Sequence, residues 1–289
     1  MRILVLRGGA LGDFLVTLPA LAMLRQRWPG ARIELVGNAT AAALALSDGL
    51  LDAVHSQHEA QWGGLYSSSP LPRTLADWLE EFDLVISYWP DPEGELARRF
   101  PVRPGQTALF GAALPSAAPA AAHYCALLRQ LGLAPASLLY PLRTPSPENF
   151  LVALHPGSGS PRKNWPANRW LALARWLEEE LHARLLVVSG GAEPADVLAG
   201  IGLPARNLPL GQLAARLAGC RLFLGHDSGV SHLAASAGAP CILLFGPTDP
   251  AMWAPPGPQV RVLRRGADLS SIAVADVSQA VREVLRDQR

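Results

Sequence analysis

The chain contains 289 residues, of which 49% are hydrophobic and 17% are charged, a composition typical of a globular protein with a large core and not of a disordered chain. Its length suits two domains of roughly 140 residues each. The formal net charge is +1, and neither half of the chain carries the excess of positive charge expected of a nucleic-acid-binding protein, which excludes that class.

Neither a secretion signal nor a membrane span is predicted. The apolar start of the chain is interrupted by Arg7, by three glycines and by Asp13 before a signal-peptide core can form. No stretch reaches about 18 uninterrupted apolar residues, as a transmembrane helix requires. Cys125, Cys220 and Cys241 are widely spaced and lie in or beside apolar segments. They are interpreted as reduced structural thiols of a cytoplasmic protein.

The first half of the chain begins with a strand, a glycine-containing loop, a helix and a second strand, the order typical of a βαβ unit. The helix is expected to run unbroken over residues 13–28. A later apolar run predicts a strand at 84–87. A helix over 123–131 should end at Gly132, because glycine readily adopts the left-handed conformation that terminates helices. The first strand, the loop and the second strand are predicted at 2–6, 7–12 and 32–36.

Three prolines between residues 140 and 150 indicate a linker, after which the strand–loop–helix pattern starts again. This repetition predicts an N-terminal domain over 1–144 and a C-terminal domain over 145–289. In Rossmann-like domains the ligand loops lie at the carboxyl ends of the parallel strands. The elements predicted after the linker are a strand at 151–154, a loop at 155–166, a helix at 168–181 and strands at 184–188, 222–224 and 241–245.

A polar loop with glycines at both ends, residues 225–229, follows the strand predicted at 222–224, and a helix is expected over 230–237. The first amides of that helix and the positive end of its dipole suit an anion such as a diphosphate. The alternative is an ordinary strand–helix–strand unit in which an Asp or Ser only caps the helix. A cap alone does not require the polar set found here, which is Asp227, Ser228, Gly229 and His232.

The glycine loop after the first strand invites a dinucleotide-binding interpretation. The three-glycine fingerprint aligned on Gly9 and Gly12 would need a glycine where Arg7 stands. An acidic residue is also expected after the second strand, where Gly37 and Asn38 are found instead. A nicotinamide dinucleotide is therefore disfavoured. The glycines still indicate that another molecule approaches the backbone closely.

Lys163 is the only lysine among the 25 basic residues. In a chain that otherwise uses arginine, a single lysine suggests a need for its compact ammonium group, with a solvated surface lysine as the alternative. No Asp-x-Asp pair flanked by strand residues is found, and the nearest sequence is Asp91-Pro92-Glu93. No bound divalent metal is therefore predicted, and Lys163 with the helix amides would neutralise a leaving diphosphate.

Three segments together resemble glycosyltransferase family 9, the heptosyltransferase-like enzymes that attach heptose from ADP-heptose to the inner core of lipopolysaccharide. Each segment is moderately specific alone, and their order and spacing over nearly the whole chain make the combination strong. They are MRILVLRGGALGDFLVTLP at 1–19, LHPGSGSPRKNWPANRW at 154–170, and GHDSGVSHLAASAGAP at 225–240 followed by LFGPTDP at 244–250.

The resemblance implies an α/β protein of GT-B fold, with two Rossmann-like α/β/α domains facing each other across a cleft. It implies a metal-independent, inverting transfer of heptose from ADP-heptose to a lipopolysaccharide core or related surface glycan, without a cofactor. The N-terminal domain would bind the acceptor and the C-terminal domain the nucleotide sugar. The protein would be cytoplasmic, which is compatible with peripheral contact with the inner membrane.

Three alternatives remain open at the level of the sequence. The first is a glycosyltransferase with another nucleotide-diphospho-sugar, such as a UDP- or GDP-sugar, or another acceptor. The second is a sugar-nucleotide epimerase of the same fold. The third is a catalytically silent binding module, against which the presence of both Asp13 and Lys163 argues.

The resemblance also implies roles for single residues. Asp13 matches the proposed general base that takes the proton of the acceptor hydroxyl, although an acid at a helix N-terminus also stabilises the helix with no catalytic role. Lys163 would contact the donor phosphates during catalysis, and Glu193 would accept hydrogen bonds from the ribose hydroxyls. His232 follows Ser228 by one helical turn, so both are expected to face the ligand. The other predicted donor-binding residues are Gly9, Gly12, Ser158, Ser160, Asp227 and Gly229.

The acceptor is expected to meet the loop at residues 58–73. In this loop Trp62 and Tyr66 would stack on sugar rings, and Arg73 would meet an anionic group of the acceptor. The same contact is open to three further arginines, Arg98, Arg99 and Arg103. For all four arginines, an ordinary surface charge is the simpler explanation. The N-terminal half is shorter than is usual in the family, which leaves the acceptor open.

Overall fold

The computed structural model describes residues 1–144, 151–190 and 197–288. The chain forms two compact units, Met1–Tyr140 and Pro141–Arg289, and each is built on its own parallel β-sheet. Within the described ranges, every helix is too short or too polar to cross a lipid bilayer.

The first unit contains five short strands, which are β1 (Arg2–Arg7), β2 (Arg32–Gly37), β3 (Ala53–Ser56), β4 (Leu84–Ser87) and β5 (Thr107–Phe110). They form one sheet in the order β3–β2–β1–β4–β5, and all neighbouring pairs are parallel. The α-helices are α1 (Leu11–Leu15), α2 (Leu18–Arg27), α3 (Ala39–Ser47), α4 (Arg73–Glu80), α5 (Glu95–Arg99) and α6 (Ala120–Leu127). Two 3₁₀ helices cover Ala60–Tyr66 and Leu128–Leu131.

The helix predicted over residues 13–28 is two helices, and the expectation of an unbroken helix was wrong. Pro19 has no amide hydrogen to donate to the carbonyl of Leu15, so one continuous helix would lose a hydrogen bond and meet a steric clash. Pro19 lies instead in the first turn of α2, where proline is tolerated. The helix predicted over 123–131 is α6 continued by the 3₁₀ turn, and it ends at Gly132 with a φ of 73°.

The second unit contains six strands, which are β6 (Leu151–Leu154), β7 (Arg184–Ser189), β8 (Leu203–Arg206), β9 (Cys220–His226), β10 (Cys241–Phe245) and β11 (Val260–Arg264). They form one parallel sheet in the order β11–β10–β9–β6–β7–β8. The α-helices are α7 (Ala167–Leu181), α8 (Leu210–Ala218), α9 (Gly229–Ser236), α10 (Pro250–Trp253) and α11 (Val274–Arg286). Two 3₁₀ turns cover Pro161–Lys163 and Leu269–Ser271.

Strand β9 is longer than the strand predicted at 222–224. It includes Gly225 and His226, which were assigned to the following turn. His226 is fully buried, and a Cβ at position 225 would lie 2.7 Å from the ring of Phe223. Gly225 and His226 therefore belong to the interior of the sheet, and the turn is shorter than predicted.

The core of the second unit lies between the sheet and two long helices. Trp170, Leu173 and Leu177 share one face of α7, at the spacing that places residues on the same side of a helix. They pack with apolar side chains of the strands and with Val277 and Val281 of α11. The strands themselves are apolar along most of their length, as expected when both faces of a parallel sheet are covered.

The three cysteines are free and buried. Burial raises the pKa of the Cys125 and Cys220 thiols to about 12, so these thiols stay protonated and unreactive at neutral pH. Their placement agrees with the interpretation of all three as structural thiols.

Each sheet has one position from which the strand order grows in opposite directions. In open α/β sheets ligands bind outside the carboxyl ends of the strands at this topological switch point. It lies between β1 and β4 in the first unit and between β6 and β9 in the second. The loops that follow these four strands are therefore the places to search for chemistry.

Candidate active site

Lys163 and Asp227 meet at the switch point of the second unit. Lys163 follows β6, Asp227 follows β9, and the Lys163 Nζ lies 2.7 Å from the Asp227 Oδ2. The lysine side chain is 32% exposed and the aspartate side chain 10% exposed. Lys163 is therefore an ion-paired residue and not an unpaired surface lysine. An ammonium group has three N–H donors, so two remain for a further acceptor after Asp227 has taken one.

Hydrogen bonds within the loop between β6 and α7 hold Lys163 in place. The backbone N–H of Lys163 donates to the carbonyl of Ser160 at 2.9 Å. The buried Ser158 hydroxyl lies 2.8 Å from that same carbonyl and 2.6 Å from the Asn164 Oδ1. A hydroxyl has one proton to donate, and here it is directed into the loop. Ser158 thus orders the loop in this structure, and its predicted contact with a donor phosphate stays a prediction, as does that of the half-buried Ser160.

His226 links this loop to the central strand. Its Nε2 accepts a hydrogen bond from the backbone N–H of Trp165 at 2.9 Å and therefore carries no proton. The ring proton belongs on Nδ1, which faces the Gly157 carbonyl at 3.4 Å. The ring also meets Trp170 edge-on, with centroids 5.3 Å apart. A neutral, buried histidine here connects β9 to both ends of the Lys163 loop. His226 was predicted to lie in a turn, a placement that does not suggest this role.

Ser228 caps α9, as the simpler interpretation of this segment proposed. Its hydroxyl accepts from the Ser231 backbone N–H at 3.4 Å and lies 3.3 Å from the His155 Nδ1. The amides of Gly229 and Val230 come first in the helix, so they have no intrahelical acceptor. With the third amide capped by Ser228, these two amides and the helix dipole remain for an anion.

Two further residues, His232 and Glu193, were predicted to bind the donor. His232 stands one turn after Ser228 in α9 and is only 7% exposed, so its ring presents little surface to a ligand. Glu193 lies outside the described residues. The ribose-binding role of Glu193 and the ligand contact of His232 remain predictions.

In the first unit Asp13 is the third residue of α1 and caps that helix. Its Oδ2 accepts a hydrogen bond from the backbone N–H of Ala10 at 2.9 Å. Its Oδ1 lies 3.7 Å from the Arg7 Nη2, and the side chain is 36% exposed. The capping role is therefore real, but it uses one carboxylate oxygen. The other oxygen keeps the lone pairs that a general base requires.

Arg7 is a residue of this site that the sequence patterns did not identify. It is 5% exposed, and its guanidinium donates to the carbonyl of Asp13 at 3.0 Å, the Thr17 hydroxyl at 3.0 Å and the Tyr124 hydroxyl at 2.9 Å. It also lies over the Tyr124 ring at 4.5 Å. Arg7 thus fixes the end of α1 directly behind Asp13. The available signal was an arginine at the end of a strand whose four central residues are apolar.

The glycine loop is shaped around Asp13. Gly9 has a φ of 108°, and a Cβ at this position would lie 2.7 Å from the Asp13 Cβ. Only glycine therefore lets the Asp13 side chain fold back over the loop. Asn38 and Gln57 bond the carbonyl and the amide of Gly9 at 3.1 and 3.2 Å. Gly12 is the second residue of α1, and the donor contacts predicted for both glycines stay predictions.

The three predicted acceptor residues occupy different environments. Trp62 is 4% exposed and its Nε1 donates to the Ser56 carbonyl at 2.7 Å, so it belongs to the core with little ring surface exposed, and its predicted stacking on a sugar stays a prediction. Tyr66 is 41% exposed and suits the predicted stacking role. Arg73 begins α4 with a side chain 93% exposed, 3.8 Å from Asp77, and has no part in a pocket with Tyr66 among the described residues.

Among the described residues, no group of three or more His, Cys, Asp or Glu side chains is arranged to hold a metal ion. Asp91, in the segment that came nearest to an Asp-x-Asp pair, is a helix cap. Its two oxygens accept from the backbone N–H groups of Leu96 and Ala97 at 2.9 and 3.0 Å, at the start of α5.

Two Rossmann-like units, each built on its own parallel sheet, have the architecture of the GT-B fold, which solved structures share. The profile of glycosyltransferase family 9 (heptosyltransferase) matches residues 127–271, which is 145 of the 289 residues. The chain belongs to this family. The family and the fold predicted from the sequence are confirmed.

Relatives of established name support the assignment. The lipopolysaccharide heptosyltransferase 2 of Salmonella typhimurium is 29% identical over 153 residues, which cover 49% of this chain and 44% of that protein. This alignment therefore spans less than half the length of that relative. The lipopolysaccharide heptosyltransferase 1 of Pseudomonas aeruginosa is 28% identical over 301 residues, covering 86% of this chain and 80% of that protein.

Solved structures share the fold over the full length. The family 9 glycosyl transferase of Veillonella parvula aligns with a TM-score of 0.80 at 23% identity, covering 99% of this chain and 97% of that one. The E. coli heptosyltransferase WaaC with ADP-2-deoxy-2-fluoro heptose aligns with a TM-score of 0.75 at 21% identity, covering 98% and 99%. At these identities the likeness shows the fold.

Proposed function

We propose that this enzyme transfers a heptose from ADP-heptose to a hydroxyl of a lipopolysaccharide core or related surface glycan, with inversion at the anomeric carbon and without a metal ion. The Lys163–Asp227 pair beside the N-terminus of α9 carries the proposal, because it places a cation and helix amides at one ligand-binding edge. The names of the relatives and a neighbour that contains an ADP-heptose analogue support the choice of donor.

The donor diphosphate would bind at this edge of the second unit. The Asp227 carboxylate holds the Lys163 ammonium at 2.7 Å and so fixes the direction of its two remaining N–H groups. Those groups and the amides of Gly229 and Val230 would donate to phosphate oxygens. As the sugar leaves, negative charge grows on the diphosphate, and donors already fixed in place stabilise that charge without reorganisation.

The acceptor would be activated in the first unit. Its hydroxyl oxygen attacks the anomeric carbon of the heptose, the bond from that carbon to the diphosphate breaks, and ADP leaves with the electron pair. The hydroxyl proton passes to the Oδ1 of Asp13, whose Oδ2 is held by the Ala10 amide. Arg7 binds the Asp13 carbonyl and thereby positions the residue. A general base of this kind contributes about 10²- to 10⁴-fold in rate.

A core glycan that is still anchored to lipid would bring the acceptor to the surface of the inner membrane. The proposal therefore has the enzyme work in the cytoplasm, in peripheral contact with that membrane. Tyr66 would take part in acceptor binding through its exposed ring.

Nucleotide binding tests the proposal. Thermal unfolding is measured with ADP, UDP and GDP and with the corresponding nucleotide sugars, and a ligand at 100 times its Kd should add about 2.7 kcal/mol to the free energy of unfolding. ADP and ADP-heptose should raise the Tm more than the other nucleotides. Stabilisation by UDP or GDP and not by ADP contradicts the proposed donor.

A further inference from the structure

A groove in the first unit lies at the switch point between β1 and β4. Its volume is about 610 Å³, and its walls come from the loops after β1, β3 and β4 and from the 3₁₀ helix Ala60–Tyr66. We call it the aromatic groove, after three of its lining residues. The residues that matter for its chemistry are Gly8, Gln57, Glu59, Trp62, Tyr66 and Trp89.

Of the three tryptophan and tyrosine rings that line the aromatic groove, the Tyr66 ring is the exposed one, and it is supported from behind. The rings of Tyr66 and Trp89 stack with centroids 6.4 Å apart and planes inclined by 20°. The Tyr66 hydroxyl donates to the Pro90 carbonyl at 3.0 Å. Trp62 meets Trp89 edge-on at 6.3 Å. Tyr66 is 41% exposed, whereas Trp62 and Trp89 are buried, so the exposed ring rests on a fixed support.

The polar part of the aromatic groove carries a carboxylate, an amide and an imidazole. Glu59 is exposed, and its carboxylate is fixed by the Ser56 backbone N–H at 2.9 Å and the Gln61 side chain at 2.7 Å. Gln57 adds an amide and His58 an imidazole. No lysine or arginine is among the described residues that line the groove. These groups suit hydroxyls, and a phosphate or carboxylate would find a fixed like charge in Glu59 and no lysine or arginine among the described lining residues.

Three of the four arginines considered from the sequence as contacts for an anionic acceptor donate hydrogen bonds to backbone carbonyls outside the groove. Arg98 donates to the Glu93 carbonyl at 2.7 Å, and Arg99 to the Ser67 carbonyl at 2.5 Å. Arg103 donates to the Glu80 carbonyl at 2.6 Å and also pairs with an aspartate. Neither these three arginines nor Arg73 on α4 lines the aromatic groove.

The aromatic groove borders the loop that carries Asp13. The Gln57 Oε1 accepts from the Gly9 backbone N–H at 3.2 Å, and Gly9 packs against the Asp13 side chain. At Gly8 a Cβ would lie 3.2 Å from that same Oε1 and 3.7 Å from the Trp89 Nε1. Glycine at this position therefore keeps the groove open up to the loop of the proposed base.

We propose that the aromatic groove binds the accepting unit of the substrate and that this unit is an uncharged sugar ring, not a phosphorylated or carboxylated one. The inference rests on the proposed function and adds the class of acceptor. The C–H face of a pyranose packs on the Tyr66 ring, whose negative π-face attracts the polarised hydrogens. Gln57 and Glu59 receive the sugar hydroxyls, and one hydroxyl is directed to the Asp13 loop.

Saturation-transfer NMR on the full chain without nucleotide tests this inference. The probes are methyl α-mannopyranoside as the neutral sugar, methyl β-glucuronide as the carboxylate and mannose 6-phosphate as the phosphate. The neutral glycoside should bind saturably and at least about tenfold more tightly than either anion. Tyr66→Ala should weaken its binding about tenfold, equivalent to about 1.4 kcal/mol. Tyr66→Phe, which keeps the ring, should stay within about twofold of wild type.

Glu59→Lys provides the reciprocal test, because it replaces the fixed carboxylate of the groove by a cation. The variant should gain affinity for the glucuronide and the phosphate. The difference in affinity between these anions and the neutral sugar should therefore become smaller. Anionic probes that bind wild type as tightly as the neutral glycoside, a neutral glycoside with no saturable signal, or an affinity unchanged in Tyr66→Ala would each overturn the inference.

ADP binding, measured on the same samples, separates this inference from the proposed function. A protein that binds ADP but prefers anionic sugars keeps the proposed donor and loses the neutral acceptor. A protein that binds the neutral sugar through Tyr66 but shows no response to ADP supports the groove and contradicts the proposed function.

Discussion

Replacing Lys163 by alanine removes the ammonium that the proposal assigns to the donor diphosphate. A hydrogen bond to a charged group contributes about 1.5–3 kcal/mol, and about 1.4 kcal/mol corresponds to a tenfold change in affinity. Lys163→Ala should therefore weaken ADP binding roughly 10- to 100-fold. Lys163 is 32% exposed, so water screens its charge and an unscreened Coulomb energy would overstate the loss.

The partner of Lys163 adds a second effect. Without the lysine, the Asp227 carboxylate, which is 10% exposed, faces the diphosphate as an uncompensated negative charge. Two like charges about 4 Å apart repel by up to about 4 kcal/mol at the effective dielectric of a protein surface. Asp227→Asn in the Lys163→Ala background should therefore recover part of the lost affinity, about tenfold. Alone, Asp227→Asn should weaken ADP binding because Lys163 loses its orientation.

Isothermal titration calorimetry with ADP and with adenosine measures these effects. Adenosine has no phosphates, so its affinity should be the same in wild type and Lys163→Ala. Arg162→Ala is the matched control, because Arg162 is an exposed cation in the same 3₁₀ turn. It should leave ADP affinity within about twofold of wild type. Lys163→Arg restores the charge but not the compact geometry and should recover only part of the affinity.

Either of two results would contradict a role of Lys163 in diphosphate binding. One is an ADP affinity that is unchanged in Lys163→Ala. The other is a loss that is equal for ADP and adenosine, which would mean that the substitution disturbs the fold or the nucleoside site. Melting curves of the unliganded variants distinguish these two causes.

Three further predictions concern the base, the metal and the stability of the first unit. Asp13→Asn can still cap α1 but cannot take a proton, so turnover should fall at least about 100-fold while ADP affinity and Tm stay near wild type; a fully active variant would contradict the assignment. Turnover should persist in excess EDTA, and activity that EDTA abolishes and magnesium or manganese restores would overturn metal independence. Burial raises the pKa of Glu34, but hydrogen bonds from His55, Arg2 and Arg32 outweigh it and leave that pKa below its ordinary value of 4.5. A lowered pKa stabilises the fold above pH 4.5 and loses this contribution as pH falls through the folded value. Glu34→Gln should thus lower the free energy of unfolding by about 1–3 kcal/mol at pH 7 and by less at pH 3, measured by urea denaturation, and an equal difference at both pH values would contradict this.

Local sequence patterns were enough to predict several strands and the edge of the second sheet at which Lys163 and Asp227 lie. The strands at 84–87, 151–154 and 241–245 have the predicted bounds, because short apolar runs between turn residues determine them. Lys163 and Asp227 follow different strands of one parallel sheet, so the carboxyl-edge rule was enough to group them. Their direct ion pair depends on side-chain geometry that no local pattern contains.

Long-range contacts explain what the sequence did not show. The burial of Trp62 depends on His55, Trp78 and Trp89, which come from three other elements of the unit. The role of Arg7 depends on Tyr124, which is 117 residues away. The break between α1 and α2 is different, because Pro19 is visible in the sequence and its missing amide hydrogen was a local signal for it.

The release of ADP from ADP-heptose is the direct test of the proposed transfer. The purified chain is incubated with ADP-heptose and a lipopolysaccharide core acceptor, with Asp13→Asn as the inactive control. The expected results are ADP formation that requires the acceptor, a product heavier by one heptose, and an inverted anomeric configuration by NMR. No acceptor-dependent ADP, or transfer from a UDP- or GDP-sugar in preference to ADP-heptose, would contradict the proposed transfer.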